Sequence, residues 1–226
     1  MNGSEIHPDS YLEHPALLAP DLLGKVLSLR TPAGNISVRI TEVEAYSPDD
    51  PASHSFNGPT KRNHSMFKTG GCLYIYQIYG IHECLNIVTQ AEGTGSAVLI
   101  RSGTPVCGFE LMWTNRFPDT PFPGLKVVEG EIRESVEKQK PISSQYLRLT
   151  CGPGNLCLAM GFSRKLHDGL IIGGDEVSIR DDGFCRDGTK SISTSARIGI
   201  SKGVDTPWRF FFTDNAWHTP GPRINL

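Results

Sequence analysis

The chain is predicted to be a single α+β domain built on a mostly antiparallel sheet. Three observations predict it. A length of 226 residues suits one large domain. Short strand-like segments recur along the chain, one of them with clean alternation of apolar and polar residues at 36–41. These segments follow one another with few of the helical crossovers that parallel strands require.

The elements are taken in order. Residues 15–26 place Leu17, Leu18, Leu22, Leu23 and Val26 at helical spacing, with Pro20 expected to split or kink the helix. Ile36, Val38 and Ile40 then alternate with Ser37, Arg39 and Thr41, a strand pattern. Residues 71–89 read as a β-hairpin: residues 73–79 are rich in β-branched and aromatic side chains, Gly80 supplies the turn, and residues 85–89 return. Residues 97–101 form a further strand and residues 108–116 a short helix. Residues 117–140 carry Pro118, Pro121 and Pro123 and then charges, and read as a long loop. A helix over residues 155–160 follows Gly152-Pro153-Gly154, and strands are expected at residues 176–180 and 208–213.

Hydrophobic residues make up 38% and charged residues 20%, a globular balance that can bury a core without staples. The formal charge of −2 argues mildly against a nucleic-acid partner, although a local basic patch can coexist with it. Lys61, Arg62 and His64, with Lys68, form such a patch, while Glu129, Glu131, Glu134 and Glu137 lie well away in sequence. The six cysteines contain no C-x-x-C pair and read as reduced thiols. No apolar run is long enough to cross a bilayer, and no basic-then-apolar leader opens the chain.

Chemistry concentrates at the end of the first strand. With a period of two, Glu42, Glu44 and Tyr46 continue the face of Ile36, Val38 and Ile40, unless a bulge near Thr41 changes the phase. A carboxylate held at a core edge is desolvated and drifts towards the range useful for base catalysis. The other reading is a structural carboxylate paired with Arg39 or Arg101. Tyr74 and Tyr76 share a face of the hairpin strand. Tyr79 sits at its tip beside Gly80, where a large side chain suits a wedge between base pairs. Asn86 on the return strand needs a specific partner for its amide. No H-E-x-x-H, Cys/His quartet, Walker lysine or G-x-S-x-G setting is present, so neither a metal nor another cofactor is expected.

These residues, in this order, resemble one family. TEVEAYSPDDPASHSFNGPTKRNHSMF, residues 41–67, is similar to the ETEAY, AHS and T-x-R-N-x-x-MF series of the 3-methyladenine (alkyladenine) DNA glycosylases of the mammalian type. GGCLYIYQIYGIHECLNIV resembles that family's G-x-LYVY-x-IYG hairpin and C-x-N return strand. VLIR, CGPGNLCLAMG, SARIGI and PWRFF resemble later motifs, so the likeness covers nearly the whole chain.

The resemblance implies a curved, open-barrel-like antiparallel sheet with a protruding hairpin. It implies a base-excision-repair enzyme that flips damaged purines from double-stranded DNA and hydrolyses their bond to deoxyribose without lyase activity. Glu44 matches the residue that activates water and Arg101 the arginine beside it. Tyr46, His54 and Tyr76 match the residues that enclose the flipped base, and Asn86 the asparagine that crowds the amino group of guanine. Tyr79 matches the intercalating tyrosine, with Ile81 in place of the usual methionine beside it. Lys61, Arg62, His64, Lys68, Arg197 and Lys202 are expected at phosphates. The loop from Tyr46 to His54 is one residue shorter than in mammalian members. A monomer in a bacterial cytosol near the nucleoid is expected, or in the nucleus of a eukaryote. The rival readings are a non-catalytic damaged-DNA-binding module and a hydrolase of free nucleosides.

Overall fold

The computed structural model describes residues 3–122, 148–185, 188, 190–213, 215 and 219. Its strands are β1 (Ser4–Glu5), β2 (Val26–Thr31), β3 (Gly34–Tyr46), β4 (Leu73–Ile78), β5 (His82–Thr89), β6 (Ser96–Cys107), β7 (Val177–Asp181), β8 (Ile192–Ser195) and β9 (Arg209–Phe212). Its helices are α1 (Pro15–Leu22), α2 (Phe109–Arg116), α3 (Pro153–Met160) and α4 (Arg164–His167). The strands form one sheet in the order β1-β7-β2-β3-β6-β5-β4, with β9 pairing β3 and β8 pairing β9. Every pairing is antiparallel, as the α+β expectation required.

The first helix is shorter than its apolar spacing predicts. It stops at Leu22, and Gly24 adopts φ +81°, where a Cβ would collide with the Cys185 sulfur. Val26 therefore opens β2 rather than closing the helix. The strand expected at residues 97–101 extends to the twelve residues of β6. Most of the loop expected over residues 117–140 lies outside the described residues, as do its four glutamates.

The long strand β3 organises the sheet. Its first half pairs β2 and its second half pairs β9, while β6 runs along its other edge. The β3–β6 register slips on both sides of Glu42, so a bulge lies at the expected place. Ile36, Val38 and Ile40 point into the main core, and beyond the slip Val43 and Ala45 do so. Glu42, Glu44 and Tyr46 thus share the opposite face, not the face of the apolar row.

The main core is a helix-on-sheet layer. Leu18, Ala19 and Leu22 of α1, Met112 and Trp113 of α2, and Leu156, Ala159 and Met160 of α3 pack on Leu73, Ile75, Leu85, Ile87, Val98 and Ile100. Each such large side chain contributes roughly 1.5–3 kcal/mol on burial. The other sheet face carries a smaller cluster: Met66, Cys72, Tyr74, Val88 and Ala97, with Tyr46, Phe67 and Tyr76 against it. On that second face the functional side chains are gathered.

Candidate active site

Strand alternation selects the residues. Leu73 and Ile75 of β4 face the core, so Tyr74 and Tyr76 face the other way. By the same rule β5 presents Cys84 and Asn86, β6 presents Leu99 and Arg101, and β3 presents Glu44 and Tyr46. Register aligns them: Tyr74 pairs with Asn86, Asn86 with Leu99, Leu99 with Glu44, and Glu44 with Arg209. One row of side chains therefore crosses five strands.

Tyr46, Tyr74, Tyr76, Cys84, Asn86, Leu99 and Arg101 line a cavity of about 720 Å³ that extends to Tyr79 at the hairpin tip, while Glu44 and Arg209 lie behind that lining. That volume lies within the range of small-molecule sites, roughly 300–1,000 Å³. Its aromatic wall is tightly set. The His54 ring meets Tyr76 edge-on with centroids 4.4 Å apart, and Tyr74 and Tyr76 lie 5.6 Å apart. His54 Nδ1 and the Tyr74 hydroxyl share a 3.0 Å hydrogen bond. The His54 loop is pinned by Asn63, whose amide donates to the His54 carbonyl at 2.8 Å. Burial, with the Arg62 guanidinium nearby, holds the His54 imidazole below its ordinary value of 6.5. Burial also pushes the Cys84 thiol up to about 11, so it lines the cavity protonated. The Asn86 amide donates to the Tyr74 carbonyl at 3.0 Å, which supplies the expected partner.

Two carboxylates lie beneath the residues that line the cavity, both fully buried. Glu42 accepts from Arg101 Nε at 2.8 Å, Arg209 Nε at 2.7 Å, Ser102 Oγ at 3.0 Å and the Thr219 amide. Glu44 accepts from the Tyr46 hydroxyl at 2.8 Å and the Ile198 amide at 2.7 Å, and pairs with Arg101 Nη1 at 3.2 Å. A carboxylate has about four acceptor positions. Glu42 meets four donors among the described residues and Glu44 three. Tyr46, Arg101 and Ile198, the three that hold Glu44, all line the cavity. Burial would raise the Glu42 carboxyl, but Arg101, the Thr219 amide and Arg209 outweigh it and hold it below the ordinary value of 4.5. Burial works against the Arg101 charge, and Glu44 and Glu42 more than restore it. Burial and the Glu44 carboxylate keep Tyr46 a neutral phenol, a donor to Glu44.

The hairpin tip is strained and bare. Tyr79 and Gly80 have φ +54° and +71°, and the Ile81 amide bonds back to the Ile78 carbonyl at 3.3 Å. A turn with two positive φ values favours Asn or Gly at its first centre, so a tyrosine there is an outlier. Tyr79 is 84% exposed and Ile81 76%. Two large apolar side chains thus project beside the cavity mouth.

The basic residues expected at phosphates divide. Arg62 and Lys202 are exposed and line the cavity. Lys61 and His64 are exposed on the Arg62 loop. Lys68 is half-buried, with its ammonium 3.3 Å from the Gly169 carbonyl. Arg197 does not stand at the surface: its side chain is fully buried in a two-pronged pair with Asp50. That pairing and burial leave it no access to a phosphate, which corrects the expectation. Sequence reasoning also missed the Ile198 amide, Arg209 and the Gly152–Asn155 segment beside the cavity. Each lies within a motif noted in the sequence, SARIGI, PWRFF or CGPGNLCLAMG, but its place at the site depends on sheet pairing or a loop.

Among the described residues, no group of three or more His, Cys, Asp or Glu side chains is placed to hold a metal, and no helix is long and apolar enough to cross a membrane.

Known proteins give this site its setting. The model of the methylpurine-DNA glycosylase family matches residues 9–216. A protein of Alkaliphilus oremlandii named "Putative 3-methyladenine DNA glycosylase" is 37% identical over 211 residues, covering 91% of this chain and 94% of its own length. Proteins of the same name from Methanocella arvoryzae and Agrobacterium fabrum are each 36% identical, covering 90% and 93% of this chain and 90% of their own lengths. The chain belongs to the methylpurine-DNA glycosylase family.

Proposed function

We propose that this protein is a DNA glycosylase that extracts a damaged purine from duplex DNA and hydrolyses its N-glycosidic bond with water activated by Glu44. The observation that carries the reading is the contrast between the two buried carboxylates. Among the described residues, Glu42 is saturated by four donors, whereas Glu44 meets three, all from cavity-lining residues, and keeps an acceptor position. Family membership supports the reaction class.

The target bond lies inside the helix, so the nucleotide must leave the stack, at a cost of a few kcal/mol. Tyr79 is placed to fill the gap, and stacking of this kind is worth roughly 1–3 kcal/mol per base. Ile81 adds apolar contact with the neighbouring pair. Tyr46, Tyr76 and His54 then receive the purine, and Asn86 sets what fits against its edge. As the C1′–N9 bond breaks, its electron pair leaves with the base and the sugar gains oxocarbenium character. Glu44 stabilises that charge and takes a proton from the water that attacks C1′. Arg101 holds Glu44 in place and stays protonated. An alkylated purine that carries positive charge leaves as a neutral base and needs no proton from the protein.

Lysine chemistry is not required. Among the described residues lining the cavity, Lys202 is the one lysine, and it is exposed at the rim. Borohydride is therefore expected to trap no covalent complex.

Single-turnover excision by Glu44→Gln tests the reading, with duplexes holding 7-methylguanine, hypoxanthine or 1,N6-ethenoadenine. A loss of about 10²–10⁴ in rate is expected for a general base. Near-normal excision by a folded Glu44→Gln protein would sink the assignment.

A further inference from the structure

Behind the aromatic wall lies a second charge arrangement. The Arg197 guanidinium carbon sits 4.7 Å from the Tyr46 ring centroid. Tyr46 lines the cavity and Arg197 does not, so the guanidinium occupies the side of the ring turned from the pocket. Asp50 engages both Arg197 nitrogens, and the Ala45 and Gly203 carbonyls take further hydrogen bonds from them at 3.0 and 3.1 Å. The Asp50 carboxylate is itself fixed by the Ala52 amide at 3.0 Å. The pair is buried and neutral. The floor quartet of Glu42, Glu44, Arg101 and Arg209 is neutral as well. Charge balance in this wall therefore depends on one carboxylate in the pocket loop.

A positively charged purine stacked on Tyr46 would use the ring's π-face. An uncompensated cation on the opposite face would compete for the same electron density and repel the base through the ring. We propose that Asp50 sets the charge preference of the pocket: by cancelling Arg197 behind Tyr46 it lets the ring accept cationic alkylated purines alongside neutral lesions. Asp50 acts through Arg197 and Tyr46 and is a specificity-determining residue rather than a catalytic one. The inference rests on the glycosylase reading above.

The magnitude follows from distance. A stacked base would carry its charge roughly 8–10 Å from the guanidinium. At that separation in a partly screened interior, an unmasked unit charge changes relative rates by about tenfold.

The test is single-turnover excision of 7-methylguanine, a cation, against hypoxanthine and 1,N6-ethenoadenine, both neutral, in one duplex sequence. Asp50→Asn is expected to lower the cation-to-neutral rate ratio about tenfold. Arg197→Gln, which leaves Asp50 negative, is expected to raise it. The double variant is expected to return the ratio close to that of the unmodified chain even if all rates fall. The opposite signs keep the idea testable if one variant folds poorly, because each ratio is internal to one protein. Equal losses on both lesion classes in either single variant would overturn the proposal and make the pair purely structural. Failure of the unmodified chain to excise any of the three lesions would instead refute the glycosylase reading, and this inference with it.

Discussion

Glu42→Gln separates a carboxylate that organises the floor from one that does chemistry. Glu42 binds four donors, two of them arginine nitrogens. A glutamine keeps one acceptor oxygen with two positions and turns an NH2 group towards the remaining donors. Two hydrogen bonds that involve a charge are lost, at roughly 1.5–3 kcal/mol each. Breaking a buried ion pair by neutralising one partner costs about 3–5 kcal/mol, in agreement. For a chain of this size that corresponds to a fall of about 6–20 °C in Tm. Arg101 still holds Glu44 through Nη1, so excision per folded molecule should drop by only about tenfold, within the range for a misplaced group. Glu44→Gln should show the reverse profile, a larger rate loss with a smaller fall in Tm. Differential scanning calorimetry and single-turnover excision on the same preparations provide both numbers. If Glu42→Gln abolished excision as fully as Glu44→Gln while leaving Tm unchanged, the roles assigned from the acceptor count would be wrong.

Other outcomes follow from the same structure. The Tyr79 backbone is at φ +54°, so Tyr79→Gly should relieve roughly 1–2 kcal/mol of left-handed strain against a chain-entropy cost of about 0.4–1 kcal/mol and leave Tm unchanged or slightly raised, yet excision from duplex should collapse; retained excision would remove the wedge from the mechanism. Glu42 is held below 4.5 in the folded chain, so its network contributes in full above that value and is lost as pH falls below it; Tm measured against pH should drop steeply there, and less so in Glu42→Gln. Arg62 and Lys202 rim the cavity, so Arg62→Ala and Lys202→Ala should each reduce the dependence of log affinity on log salt by about one unit, whereas Lys68→Ala should leave it unchanged.

Much of this protein was readable before any fold was seen. β-Branched and aromatic composition around the Gly80 turn identified the hairpin strands that carry Tyr74, Tyr76 and Asn86, because strand propensity and turn chemistry are local properties of the chain. The motif order identified the family that the comparison with known proteins bears out. Local pattern was silent on β8, whose four residues carry no apolar alternation of their own and, among the described residues, pair with β9.

The carboxylates mark the boundary of what a sequence can determine. Strand period placed Glu42 and Glu44 together but put them on the core face, because a slip of register depends on the partner strand and not on the strand itself. Arg197 looked like one more cation for a phosphate. Only the fold brings Asp50, 147 residues away, against it and turns it into the buried backing of Tyr46. By itself the sequence determined which residue types stand in which order, and hence the fold class and the family. The tertiary structure decided which carboxylate is saturated and which keeps an acceptor position among the described residues. That distinction is made by donors from β6, β9 and two separate loop segments, and so exists only when the sheet has assembled.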